Sequence, residues 1–223
     1  MKSKFSIVVI LFLSIDFYIA QDWPNLNRYK QENIVLETQE NTVVFMGNSI
    51  TEMWSTVNPE FFVGKQYVNR GISGQTTPQM LLRFRQDVID LKPKVVVILA
   101  GINDIAENTG PTTLETIASN IFSMIELALS NKIKVVLCSV LPAAEFSWSP
   151  SIKPAQKVVD LNQRLKIYAE NNGITYVDYF TSMVNESNGL KAELGDDGVH
   201  PNIKGYLIME PLLEKGIKKA LNK

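Results

Sequence analysis

A three-layer α/β/α sandwich around a five-stranded parallel sheet is the fold class this sequence predicts. Short β-branched runs alternate with longer segments of helical periodicity from about residue 41 onward. Two of those runs, Val95-Val96-Val97-Ile98-Leu99 and Val135-Val136-Leu137, are apolar at every position. Strands of a parallel sheet covered by helices on both faces read that way. No repeat, low-complexity tract or linker marks a second unit, and 223 residues less a short leader suit one well-buried domain.

The leader comes first. Lys2 and Lys4 precede the apolar run 5–15, and Ala20 offers a small residue for cleavage. Asp16 interrupts the apolar stretch, and Tyr18 stands three before the scissile bond, where a small residue is usual. The pattern predicts a secretory signal peptide over 1–20 and one domain over 21–223, placing the mature protein in the periplasm or outside the cell. An uncleaved anchor is the alternative. The run is too short to span a bilayer comfortably, so no integral span is expected after cleavage, and no nearby cysteine could carry a lipid.

Residues 22–40 read as a lead-in helix with some loop. Strands are expected at 42–46, 66–69, 94–100, 133–140 and 174–178. A helix over 78–91 has Thr77 as its N-cap and Pro78 at its first position. Apolar residues at Leu114, Ile117, Ala118, Ile121, Ile125 and Ala128 predict a helix over 112–130. Another over 154–172 ends at Gly173, suited to a left-handed cap, and the last, over 203–221, follows Pro201 and Asn202.

Composition removes several function classes. A net charge of −1 with no basic cluster interleaved with aromatics argues against a nucleic-acid partner. Cys138 is alone, so no intrachain disulfide forms, and its apolar run predicts a buried, inert thiol. No Cys-His spacing fits a zinc site. Gly71-x-x-Gly74 is too short, and follows the wrong strand, for a dinucleotide fingerprint. No metal or other cofactor is expected.

What remains is proton-transfer chemistry. His200 is the single histidine, in Asp197-Gly198-Val199-His200-Pro201. Asp197, three residues earlier, can hold the ring in one tautomer. Ser49, in Gly47-Asn48-Ser49-Ile50-Thr51, supplies a hydroxyl at the carboxyl end of the first strand. A serine needs a base to become a nucleophile, and an Asp-His pair supplies one. Attack on an ester creates an oxyanion that needs fixed donors. The candidates are the backbone N–H groups of Ser49 and Gly71 and the side-chain amide of Asn103, in Gly101-Ile102-Asn103-Asp104. All these segments fall at the carboxyl ends of strands or in the loop before the last helix, where such sheets bind ligands. Taken singly, each residue has an ordinary structural explanation as a turn, cap or loop residue. Their order at the ends of successive elements does not.

Four blocks, Gly47-Asn48-Ser49-Ile50-Thr51, Gly71, Gly101-x-Asn103-Asp104 and Asp197-x-x-His200-Pro201, resemble those of the SGNH, or GDSL-type, serine hydrolases across residues 41–222. The resemblance implies a flavodoxin-like SGNH hydrolase fold, Ser49 as nucleophile, His200 as base and Asp197 as orienting acid. It also implies that Gly71 and Asn103 join the Ser49 N–H as oxyanion donors. Asn48 departs from the family's usual aspartate at that position. Asp104 reads as structural. The stretch from Val68 to Thr77 resembles the branch near platelet-activating-factor acetylhydrolases and secreted bacterial acylhydrolases.

Substrate contacts are expected from Asn48, Trp54, Gln75 and Trp148, with Phe146 beside the last; Trp54 and Phe146 could equally be packing residues. No long apolar insertion forms a lid or acyl tunnel, which favours a small acyl group. The reading is a secreted esterase removing short acyl groups, chiefly acetyl, from a carbohydrate or small-molecule ester. A lysophospholipase or thioesterase acting on longer chains is one alternative, and a catalytically silent glycan-binding module is another. Oligomeric state stays open.

Overall fold

The computed structural model describes residues 22–222, so the leader expected over residues 1–20 lies outside the described residues. β1 (Val43–Gly47), β2 (Tyr67–Gly71), β3 (Val95–Leu99), β4 (Lys134–Cys138) and β5 (Thr175–Val177) pair in parallel in the order β2-β1-β3-β4-β5. This is the predicted sandwich. β1 and β3 are buried at every position, as their uninterrupted apolar sequences require.

The helices are α1 (Lys30–Val35), α2 (Ser49–Val57), α3 (Thr77–Asp87), α4 (Ile102–Ile105), α5 (Leu114–Ser130), α6 (Pro154–Asn171), α7 (Phe180–Met183) and α8 (Ile203–Leu221). α3, α5 and α6 pack side by side, while α2 meets α8 through Trp54 against Tyr206, ring centroids 5.0 Å apart. The chain runs outward from β1 to β2, then returns past β1 to β3 and continues to β4 and β5 on the other side. That reversal opens a crevice at their carboxyl ends, the place where open α/β sheets bind ligands.

Three local differences from the sequence reading have physical causes. The 78–91 segment is α3 followed by a separate 3-10 turn at Ile89–Leu91, ended by Lys92 in the left-handed region (φ 50°). Its N-cap is Thr76, not Thr77: Gln79 Oε1 accepts the Thr76 N–H at 3.0 Å in a capping box. The Thr77 N–H is taken instead by Asp104. α2 has no counterpart among the expected helices, because β-branched Ile50 and Thr51 in its first turn disguise a helix of nine residues. Asn48 makes it possible, its Oδ1 accepting the Ile50 N–H at 3.0 Å.

The lead-in segment is fastened along α3 by side chains that reach its backbone. Gln75, Gln79 and Gln86 donate to the carbonyls of Pro24, Trp23 and Leu26 at 2.7, 2.8 and 2.6 Å. The Tyr29 hydroxyl donates to the Gly71 carbonyl.

Candidate active site

Ser49 opens α2 directly after β1, so its side chain stands at the crevice with the positive end of the helix behind it. The Ser49 hydroxyl lies 2.8 Å from His200 Nε2, and His200 Nδ1 lies 2.6 Å from Asp197 Oδ2. An ionised carboxylate only accepts, so Nδ1 carries the proton and Nε2 is left to accept from Ser49. The other Asp197 oxygen accepts the backbone N–H groups of His200 at 2.7 Å and Val199 at 2.9 Å. Burial pushes the Asp197 carboxyl up, but these hydrogen bonds with His200 and Val199 outweigh it and hold the group below its ordinary value. Gly195 passes so close to the His200 carbonyl that any Cβ there would collide with it. The pair is built into one tight turn ahead of α8.

A cleft of about 430 Å³ opens above Ser49 and His200. Its floor and walls are completed by Met53, Ser73, Gly74, Asn103, Asn108 and Trp148. The Ser49 backbone N–H has no partner among the described residues, since the cap Asn48 serves Ile50 and the Asn48 carbonyl serves Thr51 and Glu52. Asn103 donates through Nδ2 to the Gln75 carbonyl at 3.0 Å, which fixes its amide at the cleft with one N–H left over.

Gly71 does not join them. It is the last residue of β2, in register with Gly47, and its N–H is held by Asn69 Oδ1 at 2.9 Å. Glycine is needed there because a Cβ would run into the Glu52 backbone of α2, so the close approach is to a helix rather than to substrate. The glycine facing the cleft is Gly74, at φ +76°, with an N–H that has no partner among the described residues. Two signals separate them: the strand runs two residues past its expected end, and only Gly74 occupies a turn requiring positive φ.

Three expected substrate contacts are also corrected. Asn48 is buried as the cap of α2. Trp54 is buried in an aromatic cluster with Phe45, Phe61 and Tyr206, its Nε1 donating to Glu210 Oε1 at 3.1 Å. Gln75 is buried between Arg83 and Pro24. Trp148 does line the cleft: it is 46% exposed, stacks on buried Phe146, and its ring centroid lies 6.4 Å from that of His200. Its Nε1 donates to Asn108 Oδ1 at 3.2 Å, and Asn108 in turn donates to the Gly74 carbonyl at 3.3 Å. Met53, Ser73 and Asn108 carried no signal in the sequence; Met53 reaches the cleft only because α2 puts it one turn after Ser49.

Asp104 accepts both the N–H and the hydroxyl of Thr77, the hydroxyl at 2.6 Å, and so ties the start of α3 to the Asn103 segment. Burial pushes its carboxyl up to about 6 from 3.8, against the pull of the Thr77 bonds. Between those values the folded chain binds the proton more tightly than the unfolded chain does. This contribution to stability is therefore full below pH 3.8 and is lost as pH rises through about 6, by about 3 kcal/mol. Thermal melts from pH 3.5 to 7.5 of wild type and Asp104→Asn check it: the difference in midpoint between them should shift in favour of the variant as pH rises. A difference that stays constant with pH would refute it. Burial also pushes the Cys138 thiol up to about 12, in keeping with an inert side chain.

Among solved structures, a Bacteroides fragilis protein assigned to the acylhydrolases is 52% identical and superposes with a TM-score of 0.86, covering 90% of this chain and 99% of that one. A GDSL-like lipase from Bacteroides thetaiotaomicron is 52% identical with a TM-score of 0.86, over 88% of this chain and 98% of that one. An acetylxylan esterase of Geobacillus stearothermophilus is 27% identical over 168 residues, 72% of this chain and 74% of that one. The chain spans about a third of the length of two other curated relatives that it matches. The GDSL-like lipase/acylhydrolase family model matches residues 45–208, and the chain belongs to that family.

Proposed function

We propose that this chain is a secreted serine esterase that removes short acyl groups, chiefly acetyl, from carbohydrate esters. Ser49 Oγ attacks the ester carbonyl as its proton passes to His200 Nε2. Asp197 stays ionised and stabilises the imidazolium. The oxyanion is received by the N–H groups of Ser49 and Gly74 and by Asn103 Nδ2. Collapse expels the alcohol, which takes the proton from His200, and leaves an acyl group on Ser49. Water, deprotonated by His200, then attacks the acyl-enzyme, releases the carboxylic acid and restores the serine.

The observation that carries this reading is the Ser49–His200–Asp197 relay, set beside unpartnered donors in a shallow cleft. Trp148 and Met53 wall that cleft, which is broadly open to solvent. Such a cleft suits a small acyl group with a bulky, solvated alcohol. The likeness to an acetylxylan esterase supports a carbohydrate alcohol, and the leader pattern supports secretion.

The test is a p-nitrophenyl ester series from acetate to palmitate, followed by acetylated xylo-oligosaccharides. Rates should peak at acetate, and Trp148→Ala should raise the butyrate-to-acetate ratio about tenfold by opening the wall. A peak at long chains would replace the short-acyl reading with lipid or thioester hydrolysis. No turnover of any ester would leave the glycan-binding reading in its place.

A further inference from the structure

Arg83, on α3, is fully buried, and its single guanidinium reaches three acceptors. Nε donates to Gln75 Oε1 at 2.5 Å, Nη2 to the Gly47 carbonyl at 3.0 Å, and Nη1 to Asp87 Oδ2 at 3.0 Å. Asp87 balances the charge and is itself held by Asn33 Nδ2 at 2.8 Å. The other two acceptors lead directly to the oxyanion donors. Gly47 ends β1 two residues before Ser49. Gln75 follows Gly74, and its backbone carbonyl is the acceptor that fixes Asn103 Nδ2.

An ion pair in a core is a poor source of stability, since apolar residues of similar volume usually do as well or better. What a guanidinium offers instead is a rigid fork whose donors have fixed relative positions. Here that fork joins the segments carrying the Ser49 and Gly74 donors, and the Gln75 carbonyl extends the hold to Asn103. Glu52 holds the same loop from its outer side, accepting both the N–H of Ser73, at 2.8 Å, and its hydroxyl.

We propose that Arg83, acting through Gln75, is a positioning residue that sets the spacing of the Ser49, Gly74 and Asn103 donors, an inference resting on the serine-esterase reading above. Displacement of reacting groups by about 1 Å can cost ~10²-fold in rate. The effect should fall on the tetrahedral state, where charge reaches the oxygen, and not on substrate binding.

The experiment uses the full chain, with p-nitrophenyl acetate for kinetics and a short alkyl boronic acid as the tetrahedral probe. Arg83→Lys and Gln75→Met should lower kcat by about 10–100-fold with KM within about twofold, and should weaken the boronate by the same factor. Gln75→Glu keeps an oxygen for Arg83 and should recover most of what Gln75→Met loses. Val136→Ala, a cavity in β4 away from the site, should lower the melting temperature and leave kcat alone. Should Arg83→Lys fail to fold, the two Gln75 variants decide. Variants that melt earlier but keep kcat and boronate affinity would overturn the proposal, as would a Gln75→Glu no better than Gln75→Met. Wild type without esterase turnover, or turnover that survives Ser49→Ala, would instead sink the serine-esterase reading and the inference with it.

Discussion

Replacing Ser49 by alanine is expected to lower kcat for acetyl esters by about 10⁵–10⁶-fold. The hydroxyl is the one group in the cleft placed to form a covalent bond while handing its proton to His200, 2.8 Å away. Residual rate above the uncatalysed reaction should persist, because the backbone N–H of residue 49, Gly74 and Asn103 do not depend on that hydroxyl. Binding should survive as well, so the variant should still retain an acetylated ligand with a KM-like affinity. The fold should be indifferent, since among the described residues the hydrogen bond of the serine oxygen is the one to His200. Steady-state rates and a thermal melt on the same preparation check both halves. Retained turnover in pure protein would refute the nucleophile.

His200→Ala should do comparable damage. The chain has one histidine, so no second imidazole can move into place. The loop should keep its shape, because Asp197 still accepts the backbone N–H groups of residues 199 and 200. The double variant Ser49→Ala/His200→Ala should be little worse than either single one, since the two groups act as one unit. Near-normal rates for His200→Ala at neutral pH would refute the relay, and multiplied losses in the double variant would show that the two act separately.

The sheet is legible in the sequence because burial on both faces leaves no room for polar residues in β1 and β3. All five strands begin and end within two residues of their expected bounds. Ser49, Asn103, Asp197 and His200 are legible for a different reason: few residue types can do their chemistry, and the topology sends their segments to one edge. Gly71 and Gly74 are the instructive pair. Both are glycines in one short segment, and only the ladder register and the sign of φ decide which faces the cleft. Trp54 and Gln75 show the other limit. Each is buried by a partner remote in sequence or by a charged core residue, Glu210 in one case and Arg83 in the other, and no local pattern announces either contact. α2 was hidden by its own β-branched start, and with it Met53.

The solitary imidazole has a practical consequence. A proton NMR spectrum of this chain contains one set of histidine ring resonances, and they come from a group 2.8 Å from the serine hydroxyl and 6.4 Å, centroid to centroid, from the Trp148 ring. No assignment is needed to know which residue is being observed. The indole beside it imposes a ring-current shift on those signals, so any ligand that moves Trp148 writes its arrival into the same line. The cleft carries its own spectroscopic probe, read without labels, substitutions or a chromogenic ester.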